Sequence, residues 1–236
     1  MWNGQTLADI LPTYNEAGSI ADCIFAFERL GIVDDLVVVN NNAHPDTSPE
    51  VARTTAREVH EQRQGYGAAI RRGIDETRHA DLVCVCEPDG TFDPADITKL
   101  LPFTVDTDAV FGSRTVQTYI LSGANMGFFL RWGNWAVAKL TEALFNTVHL
   151  SDVGCTFRVF NRAALDRIEP DFESDGSAFG FEMMLLAARR RLSVVQVPVK
   201  YQERVGESSV TGDFGKAFVL GMQMIALALR YRFRRL

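Results

Sequence analysis

The residues of this chain that point most directly to chemistry are two carboxylates at the end of an apolar run, Glu87 and Asp89. Residues 81–86 are typical of a buried strand, and Pro88 and Gly90 turn the chain directly after it. In an open α/β sheet the carboxyl ends of strands line the ligand crevice, where paired acidic side chains can hold a divalent cation against a diphosphate. Because the same residues are ordinary turn formers, the segment alone leaves a turn and a metal site as equal alternatives.

Polar side chains also follow three further predicted strands, at residues 6–11, 36–39 and 109–112. The residues directly after them are Pro12, Thr13, Tyr14, Asn15 and Glu16, then Asn40, Asn41 and Asn42, then Ser113 and Arg114. Together with the acidic pair they supply an aromatic ring, amide and carboxylate acceptors and an arginine. These are the groups needed to bind a base, a ribose and a metal-bridged diphosphate at one rim.

Helical segments alternate with these strands. Ser19 and Asp22 resemble a capping box that opens the first helix, and Gly31 closes it. Further helices are predicted from Ser48 onward and over residues 68–77 and 95–101. Alternation of this kind predicts an α/β fold in which a mostly parallel, Rossmann-like sheet is flanked by helices.

Composition limits the classes of function. A chain of 236 residues with 47% hydrophobic and 23% charged residues forms one ordinary globular domain, and its net charge of −6 argues against a general nucleic-acid binder. Its four cysteines lack zinc-ligand spacing and are expected to be reduced core residues. No secretory signal is visible at the N-terminus, so we expect a cytoplasmic location.

Two segments of the second half suggest a membrane surface. Trp132 and Trp135 beside Arg131 suit the headgroup boundary of a bilayer, although aromatic residues in a helix also form cores. Residues 217–229 are too short to cross a hydrocarbon layer that needs about 20 residues. They precede a cluster of arginines and aromatics, as in an amphipathic anchor on an anionic leaflet. A helix packed on the protein's own core and a dimer interface are the alternatives.

Four stretches in order along the chain resemble one family: residues 12–16, 87–91, 111–114 and 204–208. They are similar to family 2 of the inverting GT-A glycosyltransferases, and within it to the dolichyl- or polyprenyl-phosphate sugar synthases. The resemblance implies a GT-A catalytic domain over residues 1–212, with a nucleotide-sugar half (1–114) and an acceptor half (115–212). Residues 213–236 would then form an amphipathic helix at a membrane surface.

The resemblance also implies a donor, an acceptor and roles for individual residues. The donor would be a UDP- or GDP-linked sugar, the acceptor a lipid phosphate, and the cofactor Mg²⁺ or Mn²⁺. Pro12, Tyr14, Glu16 and Asn41 would contact the base and ribose, and Glu87, Asp89 and Thr91 would surround the metal. Arg114 and Arg204 would meet the diphosphate and the acceptor phosphate, and Ser208 would assist through its hydroxyl. Apart from the resemblance, Arg158 in the run that begins at Asp152 is a candidate for holding an acceptor phosphate. Asp89, Arg114 and Arg204 would carry catalysis at the cytoplasmic face of a membrane.

A phosphate acceptor explains why no catalytic base stands out. The second pKa of a phosphate monoester is about 6, so its oxygen is already anionic at neutral pH and needs no base. A hydroxyl acceptor would need one, and Asp152 or Glu182 would be the candidates, although a carboxylate on a helix surface is the more frequent interpretation of Glu182. A non-catalytic protein that binds nucleotide sugars is the alternative from a different class.

Overall fold

The computed structural model describes residues 1–124, 127–205 and 214–234, which contain a seven-stranded sheet. Its strands are β1 (Leu7–Thr13), β2 (Asp35–Asn40), β3 (Arg57–His60), β4 (Leu82–Val85), β5 (Ala109–Ser113), β6 (Arg158–Asn161) and β7 (Val194–Pro198). The spatial order is β3-β2-β1-β4-β6-β5-β7. β6 is antiparallel to both neighbours, whereas every other pairing is parallel. The predicted mostly parallel α/β sheet is therefore confirmed.

Helices cover both faces of this sheet. They are α1 (Ile20–Leu30), α2 (Thr47–Val51), α3 (Tyr66–Glu76), α4 (Ile97–Leu100), α5 (Phe128–Phe145), α6 (Arg162–Ile168), α7 (Phe179–Arg189) and α8 (Phe214–Phe233). β1 shows how the two cores form, because Ala8 and Ile10 face the core that contains α3 and α7, whereas Leu7 and Leu11 face the core beside α1. Such alternation is the period of two that a strand buried on both faces must have.

The first helix begins and ends where the sequence predicts, but for a different reason at its start. Gly31 adopts a left-handed φ of 64° after the last turn, as predicted for a closing glycine. The predicted capping box is wrong, because the Ser19 side chain makes no capping hydrogen bond. Its hydroxyl instead donates to the carbonyl oxygen of Pro88 at 2.6 Å. Ser19 therefore joins the loop after β1 to the loop after β4.

The C-terminal helix α8 is docked on the protein's own core along one face. Met224, Ala228 and Tyr231 are buried there, and the helix contacts α5 and α7. The Tyr231 hydroxyl donates to the Glu182 carboxylate, which also accepts the N–H groups of Glu173 and Ser174. Glu182 is fully buried, so its interpretation as a carboxylate on a helix surface is wrong.

The opposite face of α8 carries large exposed apolar side chains, namely Phe218, Val219, Met222, Leu229 and Phe233. Arg230 forms an ion pair with Glu173 at 2.8 Å, so part of the predicted arginine cluster is engaged by the protein itself. Within the described ranges, none of the helices has the length and apolar character that crossing a bilayer requires.

Candidate active site

The parallel strands end at one edge of the sheet, and the loop after β1 is built there around Glu16. One carboxylate oxygen of Glu16 accepts the N–H groups of Tyr14 at 2.6 Å and Asn15 at 2.8 Å and the Thr13 hydroxyl at 3.2 Å. This fixes the backbone of the loop while the Tyr14 ring stays 47% exposed at the rim. Pro12, the first residue of the predicted segment 12–16, is buried within β1.

Asp89 occupies the turn after β4 and is 1% exposed, but its neighbours are polar. Its Oδ1 accepts the backbone N–H of Thr91 at 2.9 Å and the Thr91 hydroxyl at 2.6 Å. Its Oδ2 lies 3.0 Å from a guanidinium nitrogen of Arg204. The contacts with Thr91 are those of an ordinary turn, whereas the contact with Arg204 comes from a distant part of the chain and is not needed to reverse it.

Arg204 joins the loops after β1 and β4. Its Nη2 donates to the free Glu16 oxygen at 2.8 Å while its Nη1 contacts Asp89. Partial burial alone would lower the pKa of Arg204, but the negative charges of Asp89, Glu87 and Glu16 outweigh it and raise that pKa. The structure therefore brings Glu16, Asp89 and Arg204, from three distant parts of the sequence, into one charged cluster.

Glu87 lies beside this cluster and is influenced by its charges. Burial and, to a smaller extent, the charge of Asp89 raise the pKa of its carboxyl to about 7, and Arg204 only partly opposes the shift. No donor among the described residues forms a hydrogen bond to its carboxylate. Two adjacent carboxylates, one of them without a donor, fit a divalent cation of the hard, oxygen-preferring kind. The Thr91 hydroxyl oxygen lies next to this pair, because it is 2.6 Å from a carboxylate oxygen of Asp89.

This donor set is small. In the described parts of the chain, no group of three or more His, Cys, Asp or Glu side chains is arranged to hold a metal ion. A cation at Glu87 and Asp89 would therefore need further ligands from outside the protein, such as water or a diphosphate. Magnesium in particular binds through one or two carboxylates plus substrate phosphates.

Arg114 follows β5 and is held by Asp152. Its Nε and backbone N–H donate to Oδ2 of Asp152 at 2.9 and 2.8 Å, and its Nη2 donates to Oδ1 at 3.0 Å. The guanidinium lies 5.2 Å from the centre of the Tyr201 ring. Both contacts orient Arg114. Its charge also lowers the pKa of Glu87, so Arg114 lies at the same edge of the sheet as the charged cluster.

The same contacts make Asp152 a poor general base. It is fully buried, and burial alone would raise the pKa of its carboxyl. The charge of Arg114 and the hydrogen bonds from Arg114 and Gly154 outweigh burial and hold this pKa below its ordinary value. The geometry therefore does not favour Asp152 as a base, and Glu182, buried between α7 and α8, is not at the rim.

Arg158 and Asn41 are committed to internal partners. Arg158 is 1% exposed, and its guanidinium donates to the carbonyl oxygens of Gly180 and Cys155. The geometry does not support its predicted contact with an acceptor phosphate, because the side chain is buried and both of its terminal nitrogens donate to backbone carbonyls inside the protein. The Asn41 amide donates to the carbonyls of Glu61 and Arg63 at 2.9 and 2.8 Å, so it fixes the loop that follows β3.

Two contacts of the site were not predicted from the sequence. Tyr201 packs on Arg114, and Asn134 of α5 donates to Asp152 through its amide nitrogen. Tyr201 lies three residues before Arg204 in the same segment, and that proximity could have drawn attention to it. Asn134 lies 18 residues from its partner and carries no such signal. Ser208, a predicted phosphate ligand, lies outside the described residues.

Comparison with known proteins begins with a family model described as glycosyl transferase family 2, which matches residues 10–169. The dolichyl-phosphate hexose transferase of Haloferax volcanii is 30% identical over 233 residues, which cover 97% of this chain and 96% of that protein. The undecaprenyl-phosphate mannosyltransferase of Micrococcus luteus is 28% identical, with 94% of each chain covered.

Another relative is longer than this chain. The low-salt glycan biosynthesis hexosyltransferase Agl6 of Haloferax volcanii is 31% identical over 212 residues, and the match covers 87% of this chain but only 50% of that protein. Among solved structures, glucosyl-3-phosphoglycerate synthase from Mycobacterium tuberculosis, in complex with Mn²⁺, UDP and phosphoglyceric acid, superposes with a TM-score of 0.77. It is 19% identical and covers 98% of this chain and 80% of that one, so the likeness concerns the fold.

Proposed function

The chain belongs to glycosyltransferase family 2, and we propose that it transfers a sugar from a nucleoside-diphosphate sugar to a polyprenyl phosphate with inversion at the anomeric carbon. The observation that carries this proposal is the cluster in which Arg204 joins Glu16 to Asp89 beside Glu87. Such a cluster has the charges to bind a diphosphate and a cation together. The names of two relatives, matched over 94% or more of both chains, supply the acceptor class.

The donor would bind across the loops after β1, β2 and β4. We assign the exposed Tyr14 ring, together with Pro12 and with Glu16, which accepts the Tyr14 backbone N–H, to the base and ribose, and Asn41 to positioning the neighbouring loop. Glu87 and Asp89, with Thr91 behind Asp89, would hold Mg²⁺ or Mn²⁺. When bound, the metal supplies positive charge that stabilises the departing nucleoside diphosphate.

The fixed arginines would complete the charge balance. Arg114 is oriented by Asp152 and Tyr201 before any ligand arrives, so little reorganisation is needed when phosphate binds. Arg204 can exchange its contacts with Glu16 and Asp89 for the phosphates once a cation neutralises those carboxylates. The acceptor phosphate is anionic near neutral pH, with a second pKa of about 6, so no side chain has to take a proton from it.

The two halves of the chain would bind different substrates. We propose that residues 1–114 form the nucleotide-sugar half, that residues 115–212 form the acceptor half and that residues 213–236 form a surface helix. A single sheet joins the halves, because β6 of the second half lies between β4 and β5 of the first. The acceptor half also bears the exposed tryptophans of α5.

The transfer reaction can be tested directly. The protein, a panel of UDP- and GDP-sugars, MnCl₂ or MgCl₂ and a polyprenyl phosphate are incubated, and the lipid fraction is examined by mass spectrometry. We expect a polyprenyl-phosphate sugar of inverted anomeric configuration that disappears in excess chelator. Sugar recovered only on hydroxyl acceptors would replace the proposal with a hydroxyl-directed transferase, and donor binding without any product would point to a non-catalytic protein.

We further propose that the exposed face of α8 lies on the cytoplasmic surface of a membrane, where a lipid acceptor is available. The large apolar side chains on that face support this, as do the four cysteines, which are free thiols suited to a reducing compartment. Replacing Phe218 and Phe233 by serine is expected to reduce flotation with anionic vesicles about tenfold or more, because each buried Phe contributes about 1.5–3 kcal/mol.

A matched control exists for this experiment. Val105 is also apolar and exposed but lies at the end of the 3₁₀ segment Leu101–Val105, next to α4 and away from α8. Val105→Ser should float like the unmodified protein. Unchanged flotation of the Phe218 and Phe233 variant would contradict the membrane proposal and leave a contact between protein subunits as the use of this face.

A further inference from the structure

An aromatic cleft opens directly beside Arg114. It is lined by Thr115, Arg131, Trp132, Trp135 and Ser151 and has a volume of about 290 Å³. Ordinary small-molecule sites have volumes of about 300–1,000 Å³, so this cleft suits one part of a longer ligand. No residue of the cleft belongs to the charged cluster formed by Glu16, Asp89 and Arg204.

One end of the cleft is continuous with the site that holds Arg114. Ser151 directly precedes Asp152, and its hydroxyl lies 2.8 Å from that of Ser113, the residue before Arg114. On the helix side, Asn134 lies between the two tryptophans in sequence and donates to Asp152. A ligand whose anionic end meets Arg114 can therefore extend into the neighbouring cleft.

The other end is strongly apolar. The rings of Trp132 and Trp135 are edge to face, with centroids 5.4 Å apart, and their side chains are 53% and 46% exposed. Rigid aromatic faces of this size gain much by covering apolar ligand area. Arg131, whose guanidinium is oriented by Gln117, adds a positive charge at the margin. The cleft is therefore cationic near Arg114 and aromatic beyond it.

We propose that this cleft takes the first isoprene units of the acceptor, so that Trp132 and Trp135 select a branched, unsaturated chain attached to a phosphate. The inference rests on the proposed function for the identity of the acceptor. Isoprene units carry a methyl branch and a planar double bond, and both can lie flat on indole rings, whereas a straight alkyl chain covers less of them. Chain selectivity near the phosphate then comes from this cleft.

Binding can be measured without any sugar transfer, because the chain has only three tryptophans and the third, Trp2, precedes β1 at the other end of the sheet. Intrinsic fluorescence is followed while farnesyl phosphate, dodecyl phosphate or inorganic phosphate is added to the metal-free protein and to the Trp132→Leu and Trp135→Leu variants. Trp2→Phe serves as the control. Thermal unfolding of each variant confirms that it is folded.

We expect farnesyl phosphate to bind several-fold more tightly than dodecyl phosphate, and each cleft variant to weaken farnesyl phosphate about tenfold, as loss of a central aromatic contact does. Trp2→Phe should bind like the unmodified protein. Equal affinity for the two chains, or unchanged affinity in both cleft variants, would overturn the assignment. Two further outcomes are that the cleft variants bind phosphatidylcholine vesicles less well, or no longer sediment as a dimer, while their affinity for farnesyl phosphate is unchanged. Either result would overturn the assignment and show that the cleft contacts a lipid surface or a second copy of the chain.

Failure of the cleft assignment and failure of the proposed function give different results. If the unmodified protein glycosylates a long polyprenyl phosphate and the cleft variants do so with the same KM, the cleft assignment falls and the proposed function stands. If the unmodified protein glycosylates no polyprenyl phosphate, the proposed function falls whatever the fluorescence shows.

Discussion

Replacing Asp89 by asparagine is expected to lower the turnover number about 10²–10³-fold or more while the protein remains folded. Asparagine keeps the oxygen that accepts from Thr91 but removes the negative charge that faces Arg204. The new amide group would then place N–H donors against a guanidinium. In the proposed metal site one of the two carboxylates, Glu87, would remain, so the leaving diphosphate would be stabilised less.

The fold is expected to survive because Arg204 keeps Glu16 as a partner at 2.8 Å. Turnover is measured with saturating donor and Mn²⁺, and Mn²⁺ affinity is measured separately by calorimetry, where we expect at least about tenfold weaker binding. Asp93→Asn is the matched control. Asp93 lies four residues on, forms an ion pair with Lys200 at 2.8 Å and is outside the charged cluster. Near-normal turnover and metal affinity of Asp89→Asn would contradict the assigned role.

Four strands of the first half, β1, β2, β4 and β5, could be predicted because they are apolar runs bounded by turn residues. The strands of the second half, β6 and β7, were not predicted. β6 begins with Arg158, and only three more residues follow before α6, so no period of two can be recognised. β3 reads Arg-Glu-Val-His and was missed because an edge strand with one neighbour needs little apolar surface.

The residues of the site also differ in whether the sequence could predict them. The rim could be predicted since the ends of parallel strands converge, a rule that needs only the order of elements. Contacts between residues that are distant in sequence could not be predicted. Tyr231 lies 49 residues from Glu182, and nothing near Glu182 indicates that its carboxylate is buried and satisfied. Arg158 was predicted to help hold an acceptor phosphate from its place in the run that begins at Asp152, whereas here its guanidinium donates to two carbonyl groups inside the protein.

Asp9 should make the stability of the protein fall as pH rises. It lies in the middle of β1, is fully buried, and neither carboxyl oxygen has a hydrogen-bonding partner among the described residues. Burial raises the pKa of this carboxyl to about 8, and the neighbouring Cys84 opposes the shift only in part. The native protein therefore carries a protonated Asp9 at neutral pH, whereas the unfolded chain ionises with the ordinary pKa of 3.8.

The sign of the pH dependence follows from this difference. Between about pH 4 and 8 the unfolded state binds fewer protons at Asp9 than the native state, so the free energy of unfolding decreases by up to about 1.4 kcal/mol per pH unit. The contribution is fully present below the unfolded pKa and is lost by the time pH passes the native pKa. Asp9→Val has no proton to release and leaves no unsatisfied polar atom, so it should be more stable at pH 8 by about 3–5 kcal/mol.

Urea unfolding at pH 5, 6.5 and 8 measures this effect, and the difference between two proteins at each pH removes the contributions of other groups, such as the low pKa of Asp152. The difference between Asp9→Val and the unmodified protein should grow with pH and level off above about pH 8. Asp9→Asn separates charge from polarity, because it also loses the pH dependence but keeps a buried amide without partners and so gains less stability. A constant difference across the three pH values would show that Asp9 is ionised in the native protein.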